Sequence, residues 1–207
     1  MIKTSVVTSA TGEPITTAEI RSHLRISSTL EDTLLDSLEI VARQRAESIT
    51  GRKLMPQTWK VYFDQWSDGY CFEMPYTPTQ SIPTTGIVYK DSTGNSTTFG
   101  STSWDTDIVS EPGRVCLRND SDWPSATLYD INPISIEFKC GYSTGGSTST
   151  GVDERGAVPE GIKQAIKLMV GHWYEQREDT NVRFEVYSIP LASEKLLAQY
   201  KVFNFTS

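Results

Sequence analysis

Between Val158 and Trp173 the apolar residues Ile162, Ala165, Ile166, Met169, Val170 and Trp173 recur at helical spacing, with Lys163, Lys167 and Glu175 off the stripe. Pro159 suits the first turn, where its missing N–H would be unpaired anyway, and Glu160 puts an acid at the positive end of the helix dipole. The pattern predicts a helix from Pro159 to Asp179, roughly 30 Å long at about 1.5 Å per residue, ended by Asp179-Thr-Asn181. A second, short helix is expected from near Leu191, entered at Ser188 or Pro190, with faces built from Leu191, Lys195, Leu196, Gln199 and Tyr200. It runs out into three aromatics, Tyr200, Phe203 and Phe205, on a terminus expected to dock on something.

At the other end, residues 1–14 read as an extended arm. Thr16-Thr-Ala-Glu19 is a capping-box pattern leading into a short helix with Ala18, Ile20, Leu24 and Ile26. Ser28-Thr-Leu-Glu31 repeats the pattern. It is expected to open a longer helix with Leu30, Leu34, Leu35, Leu38, Val41, Ala42 and Ile49 inside and Arg43, Arg45 and Glu47 facing solvent or a neighbour. Gly51 supplies its stop.

After Gly51 the period changes to two. Thr58–Phe63 alternates with Trp59, Val61 and Phe63 on one face, and Ile134, Ile136, Phe138 and Cys140 alternate with Ser135, Glu137 and Lys139. Between them, Tyr70–Met74, Ile87–Lys90, Thr97–Phe99, Trp104–Val109 and Arg114–Leu117 read as short strands. Asp91–Asn95 and Glu111-Pro-Gly113 read as turns. The expected fold class is α+β: a small helical bundle of N- and C-terminal helices with a large antiparallel β insertion. The expected domain plan is an arm and helices over 1–51, a β-rich insertion over 52–152, and helices with an aromatic tail over 153–207. The Ser/Thr/Gly run at 143–151 is expected to be a flexible loop for partner contact, led by Ser143, Thr144, Gly145, Gly146 and Ser147.

Charge and composition narrow the function. The net charge is -7, and 207 residues with 37% apolar content suffice for one domain with a core. The acidic excess lies mostly in the middle segment and no segment is basic, which argues against a free-standing binder of DNA or anionic membrane. No run approaches the ~20 apolar residues of a membrane span, and the N-terminus lacks the apolar core of a signal peptide. Three cysteines, Cys71, Cys116 and Cys140, have neither an even number nor metal-site spacing, so neither a disulfide framework nor a zinc site is expected. A chain made and kept in a reducing cytoplasm, or in a particle assembled there, is expected.

Sites of chemistry are sparse. His172, Glu175 and Glu178 are spaced along one helix, but no second histidine completes a metal-ligand set. His23 stands alone. Asp105 and Asp107 lack the glycine and glutamate of a calcium loop, and are expected to face solvent on a strand. No nucleophile elbow or phosphate-binding glycine loop occurs. The reading is therefore of no enzyme, no cofactor and no metal. Five tryptophans, Trp59, Trp66, Trp104, Trp123 and Trp173, leave one rival open: a carbohydrate- or receptor-binding β module of a phage tail or baseplate. A small hydrolase is the remote third.

One resemblance spans most of the chain. Ile15-Thr-Thr-Ala-Glu-Ile-Arg-Ser-His-Leu-Arg25, the Leu-rich helix and Thr50-Gly-Arg52 come first. Phe138-Lys-Cys-Gly-Tyr142, Val158-Pro-Glu-Gly-Ile-Lys-Gln-Ala-Ile-Lys-Leu168 and Ile189-Pro-Leu-Ala-Ser-Glu-Lys-Leu-Leu-Ala-Gln-Tyr200 follow. Each motif is short; their order and spacing resemble the head-tail connector (adaptor, or head-completion) proteins of long-tailed double-stranded DNA bacteriophages. The β segment is longer than in the smallest members.

The resemblance implies a virion protein without catalysis. It would form a dodecameric ring under the portal, with the portal protein on one side and a tail-side connector, stopper or tail-terminator protein on the other. Double-stranded DNA would pass through the lumen without specific binding. A ring of identical subunits needs two different complementary faces. The candidates are Arg43, Arg45 and Glu47 against Glu31, Asp32 and Asp36. Tyr200, Val202, Phe203 and Phe205 are the candidates for portal docking, since buried aromatic anchors dominate such contacts. A neutral or acidic lumen would let DNA slide, whereas many cations would hold it.

Overall fold

The computed structural model describes residues 3–142, 157–176 and 191–202. They fall into two compact units, residues 3–11 with 55–142 and residues 12–54 with 157–202. The first is all β and the second all α, so the chain is α+β with a large antiparallel part. Antiparallel strands can be joined by short turns, which is why this much sheet fits between two helical stretches.

The β unit holds β1 (Lys3–Thr8), β2 (Gln57–Phe63), β3 (Cys71–Glu73), β4 (Thr79–Ser81), β5 (Ile87–Lys90), β6 (Ser96–Thr98), β7 (Trp104–Asp107), β8 (Arg114–Leu117) and β9 (Ile134–Cys140). One sheet runs β1-β2-β9-β5-β6, with β4 also paired to β9; the other runs β3-β8-β7. The expected arm at residues 1–14 is therefore a paired strand at least over Lys3–Thr8, in register Thr4↔Val61 and Val6↔Trp59, and it belongs with the β unit rather than with the helices. β4 escaped the pattern because Thr79-Gln-Ser81 is too short and too polar to alternate.

β9 is the centre of the larger sheet. Ile134, Ile136, Phe138 and Cys140 are all fully buried, and the strand pairs with β2 along its whole length, Gln57↔Cys140 to Phe63↔Ile134. A strand buried on one face and flanked on both edges has its register fixed, since a one-residue slip would bring Glu137 and Lys139 into the core. Val61, Ile87, Ile136 and Phe138 share that core with Phe72, Trp104 and Val115 of the smaller sheet. Gly141 ends β9 at φ +105°, and a β-carbon there would collide with the Met55 carbonyl oxygen, so only glycine fits.

Cys71 and Cys116 face each other across β3 and β8 and form a disulfide, with Cα atoms 4.0 Å apart. This overturns the expectation that no cysteine is bridged. An odd count says nothing about which two lie in register, and only strand pairing decides that. Cys140 lies outside this bridge and is fully buried, a small residue in the core.

The α unit comprises α1 (Thr17–Leu24), α2 (Asp32–Thr50), α3 (Glu160–Glu175) and α4 (Leu191–Ala198). The capping box at Thr16 forms in full: Glu19 N–H donates to the Thr16 hydroxyl, and Thr16 N–H donates to the Glu19 carboxylate at 2.8 Å. The second box does not. The hydroxyl of Ser28 accepts from Leu30 N–H in a turn, and α2 begins at Asp32 without a side-chain cap. α3 is the central helix, packing on α1, α2 and α4. Its stripe Ile162, Ala165, Ile166, Met169 and Val170 is fully buried, each large side chain stabilising by about 1.5–3 kcal/mol. Gly51 stops α2 in the left-handed region at φ +71°. Among the described residues no helix is long and apolar enough to cross a membrane.

Candidate interaction surfaces

α2 turns inward most of the face its leucines predict: Leu35 and Ala42 are buried and Leu34, Leu38 and Ile49 half-buried, while Val41 is exposed and Leu30, ahead of the helix, is exposed as well. Glu39, Ala46, Glu47 and Thr50 are buried beside them, and Ile40 is exposed. The inner face is chosen by polar anchors. Glu47 accepts from Leu54 N–H at 3.0 Å, from Arg43 Nη1 at 3.3 Å and from Lys53 Nζ at 3.3 Å. Arg43 Nε donates to Glu13 at 2.6 Å. Burial opposes the Arg43 charge, but hydrogen bonds and charges from Glu13 and Glu47 outweigh it and hold the guanidinium above its ordinary pKa. Arg43 and Glu47 thus brace the chain on either side of α2 and do not face outward, contrary to the expectation for polar positions on a helix.

Glu39, one turn before Arg43, is 3% exposed, and its Oε1 has no hydrogen-bond partner. Burial, then the nearby charge of Glu13, push its carboxyl up to about 8, against the stabilising N–H of Ile15; Asp36 and Glu19 push the same way. At neutral pH Glu39 is largely protonated, which removes most of the cost of keeping it inside.

The other candidates for subunit contact divide. Glu31 is half-buried and accepts from the Tyr174 hydroxyl; Asp32 is half-buried and lies 3.4 Å from Arg21 Nε. Asp36 is exposed and accepts from Thr17 Oγ1 at 2.7 Å. Arg45 is exposed. Of the six, only Asp36 and Arg45 reach the surface freely.

The C-terminal end is tied down as far as Val202. Arg52 Nε donates to the Tyr200 carbonyl at 2.7 Å, and Val202 N–H donates to the Thr50 carbonyl at 2.8 Å. The Tyr200 ring lies over Gly161 at the start of α3. Tyr200 and Val202 therefore pack in the subunit itself, and the loose aromatic end expected from sequence does not begin before residue 203. Phe203 and Phe205 lie outside the described residues, as do Ser143, Thr144, Gly145, Gly146, Ser147 and Glu178.

In the β unit three of the tryptophans pack against other aromatic rings, Trp59 against Tyr76 and Trp66 and Trp123 against each other. Trp66 and Trp123 stack at 5.0 Å with 9° between planes, and Phe72, Phe99 and Tyr89 surround Trp66. Trp104 is buried, and Trp59, Trp66, Trp123 and Trp173 are half-buried. Asp105 pairs with Arg118 at 2.7 Å and Asp107 with Arg114 at 3.0 Å across β7 and β8. The Ser110 hydroxyl, with the Ser110 N–H and Arg114, holds the Asp107 carboxyl down at about 2. Asp105 is exposed and Asp107 half-buried in these ion pairs. Among the described residues no group of three His, Cys, Asp or Glu side chains could hold a metal ion. Among the described residues of this unit, the large exposed apolar side chains are Val6, Val7, Tyr70, Val109, Tyr129 and Ile131.

These features define a two-unit α+β chain with individual large apolar residues exposed on both units. Solved structures of similar fold include chains of gene transfer agent particles. The chain superposes on a chain of the neck of an empty gene transfer agent particle, computed with C6 symmetry, with a TM-score of 0.72, 22% identity and coverage of 97% of this chain and 96% of that one. A chain in the virion of the native gene transfer agent particle gives 0.72, 21%, 97% and 95%. A chain in the native neck computed with C12 symmetry gives 0.70, 21%, 97% and 96%. No family model matches the sequence. No curated protein matches it either.

Proposed function

We propose that this chain is a head-tail neck protein of a virion: a non-enzymatic connector, or adaptor, that forms a ring, in its full form a dodecamer, beneath the portal. The observation that carries the reading is a fold shared with particle-neck chains over nearly the whole length of both partners, 97% and 96%. The sequence motifs support the same family from an independent direction. C6 and C12 symmetry in the related necks supports a ring with two lateral neighbours per copy. The acidic balance, net -7, supports a lumen that lets DNA pass without adhesion.

In this reading the portal protein lies on one side of the ring and a tail-side connector, stopper or tail-terminator on the other. Because Tyr200 and Val202 brace the subunit, docking on the portal falls to the residues after them, with Phe203 and Phe205 as anchors. Arg45 and Asp36 remain the candidates for charged contact between copies.

The test is a pull-down of the purified protein on portal-bearing, DNA-filled capsids of its own particle, with electron microscopy of the vertex. Added ring density below the portal is the expected result; a folded protein that leaves the vertex unchanged would sink the reading. Removing residues 203–207 should abolish attachment while leaving the melting curve intact, and unimpaired attachment would move portal docking elsewhere.

A further inference from the structure

We propose that Cys71 and Cys116 form a reversible thiol switch, reduced while the chain is inside the cell and bridged once the released particle meets an oxidising medium, with the β unit folded in both forms. The timing rests on the neck reading above; the chemistry rests on where the two sulfurs lie.

The strand register opposes the two residues before any bond joins them. Leu117 N–H donates to the Tyr70 carbonyl at 2.8 Å, and Met74 N–H donates to the Gly113 carbonyl at 2.7 Å. Hydrogen-bonded and non-hydrogen-bonded pairs alternate along an antiparallel ladder, so Cys71↔Cys116 is a non-hydrogen-bonded pair, the kind whose side chains come closest. Backbone bonds on both sides hold that pair in place without help from the sulfurs.

The bridge also lies on the outer side of its sheet. Phe72 and Val115, the next residues along each strand, are 5% and 0% exposed and belong to the core. Successive side chains point to opposite faces, so Cys71 and Cys116 point away from that core. They share their face with Glu73 and Arg114, which are exposed, and Asp105 on β7 stands opposite Cys116 and is exposed as well. Both cysteines are half-buried, not sealed. A small thiol or disulfide reaches them from solvent, and access is one of the factors that set the rate of exchange.

The smaller sheet keeps its other supports when the bridge is open. Phe72, Val115 and Trp104 anchor its three strands in the shared core. Arg114 with Asp107 and Arg118 with Asp105 tie β8 to β7. Opening the bridge therefore frees two side chains on the surface and leaves the register of β3, β8 and β7 in place.

The oxidant is a low-molecular-weight disulfide of the glutathione class. One protein thiolate attacks one of its sulfurs, the small S–S bond breaks, and a small thiolate leaves a mixed disulfide behind. The second protein thiolate attacks the protein sulfur of that mixed disulfide, forms the Cys71–Cys116 bond and expels the second small thiolate. The two protons of the protein thiols end on the two small thiols, and two electrons pass from the protein to the reagent. A reducing cytosol drives the exchange backward, and an oxidising exterior drives it forward. The cross-link is then absent while the chain assembles and present in the particle that has left the cell.

The experiment counts thiols on the full chain. Cells producing particles are quenched in acid, the protein is denatured and alkylated with a maleimide, and its intact mass is measured; released particles are treated alike. All three cysteines should be labelled in the cell and Cys140 alone in the particle, where it serves as the internal reference. On the purified bridged chain, dithiothreitol at neutral pH should open the bridge about tenfold or more faster than the chain unfolds globally, with the far-ultraviolet circular dichroism unchanged.

Three results would overturn the proposal: a bridge already closed in the cell, thiols still labelled at 71 and 116 in the particle, or reduction no faster than global unfolding. A chain missing from released particles is a distinguishable result, which would remove the neck reading and the timing proposed here with it.

Discussion

The ring of Tyr200 lies across Gly161, so close that a β-carbon on Gly161 would come within 2.6 Å of the phenolic oxygen. Residue 161 stands in the first turn of α3, and Tyr200 lies two residues beyond the end of α4. The contact therefore locks the last helix against the start of the central one. The glycine is needed for close approach, not for an unusual backbone angle.

Gly161→Ala should lower the stability of the subunit by about 1–3 kcal/mol through overpacking, read as a fall in melting temperature. Combining it with Tyr200→Leu, which removes the obstructing hydroxyl and ring edge, should cost less than the sum of the two single changes. Strict additivity would show that the two residues do not touch.

Glu39 gives stability a pH dependence. Its carboxyl titrates near 8 in the folded protein and near 4.5 without the fold. Between those values the folded state holds a proton that the unfolded chain releases, so this group's contribution is greatest below pH 4.5 and fades as pH rises through 8. Glu39→Gln should remove the dependence, and at pH 8 should stabilise by on the order of 1–3 kcal/mol. Denaturant titrations at pH 5 and pH 8 measure it. A wild-type protein whose stability does not fall across that interval would mean that Glu39 is ionised inside.

The Cys71–Cys116 bridge closes a 45-residue separation within the β unit. Cys71→Ser with Cys116→Ser, or a reductant, should lower the stability of that unit by about 2–4 kcal/mol. Melting curves with and without reductant should differ for the wild type and coincide for the double variant. Coincident wild-type curves would show that the thiols are not bridged.

Ile166 and Met169 are fully buried on α3. Ile166→Asp or Met169→Asp should unfold the α unit, because each puts an unpaired charge into the core at a cost of several kcal/mol, on the order of half or more of a domain's stability. Circular dichroism checks this; a normal melt would remove α3 from the centre of the bundle.

What the sequence by itself determined is whatever is encoded within a few residues. The period of 3.6 gave α3 its buried stripe, the period of two gave β9 its core face, Thr16 with Glu19 gave a formed cap, and Gly51 gave a stop. The order of these pieces was enough to suggest the connector family. What only the tertiary structure decided depends on residues far apart in the chain. The inward seat of Glu47 on α2 turned on the Leu54 N–H that it finds, and that of Arg43 on Glu13, while Val41 stayed exposed. The pairing of Cys71 with Cys116 turned on the register of two strands. The seating of Tyr200 turned on a missing side chain at residue 161. Local pattern reports the free energy of a segment on its own, whereas each of these choices belongs to a contact whose partner is set by the fold.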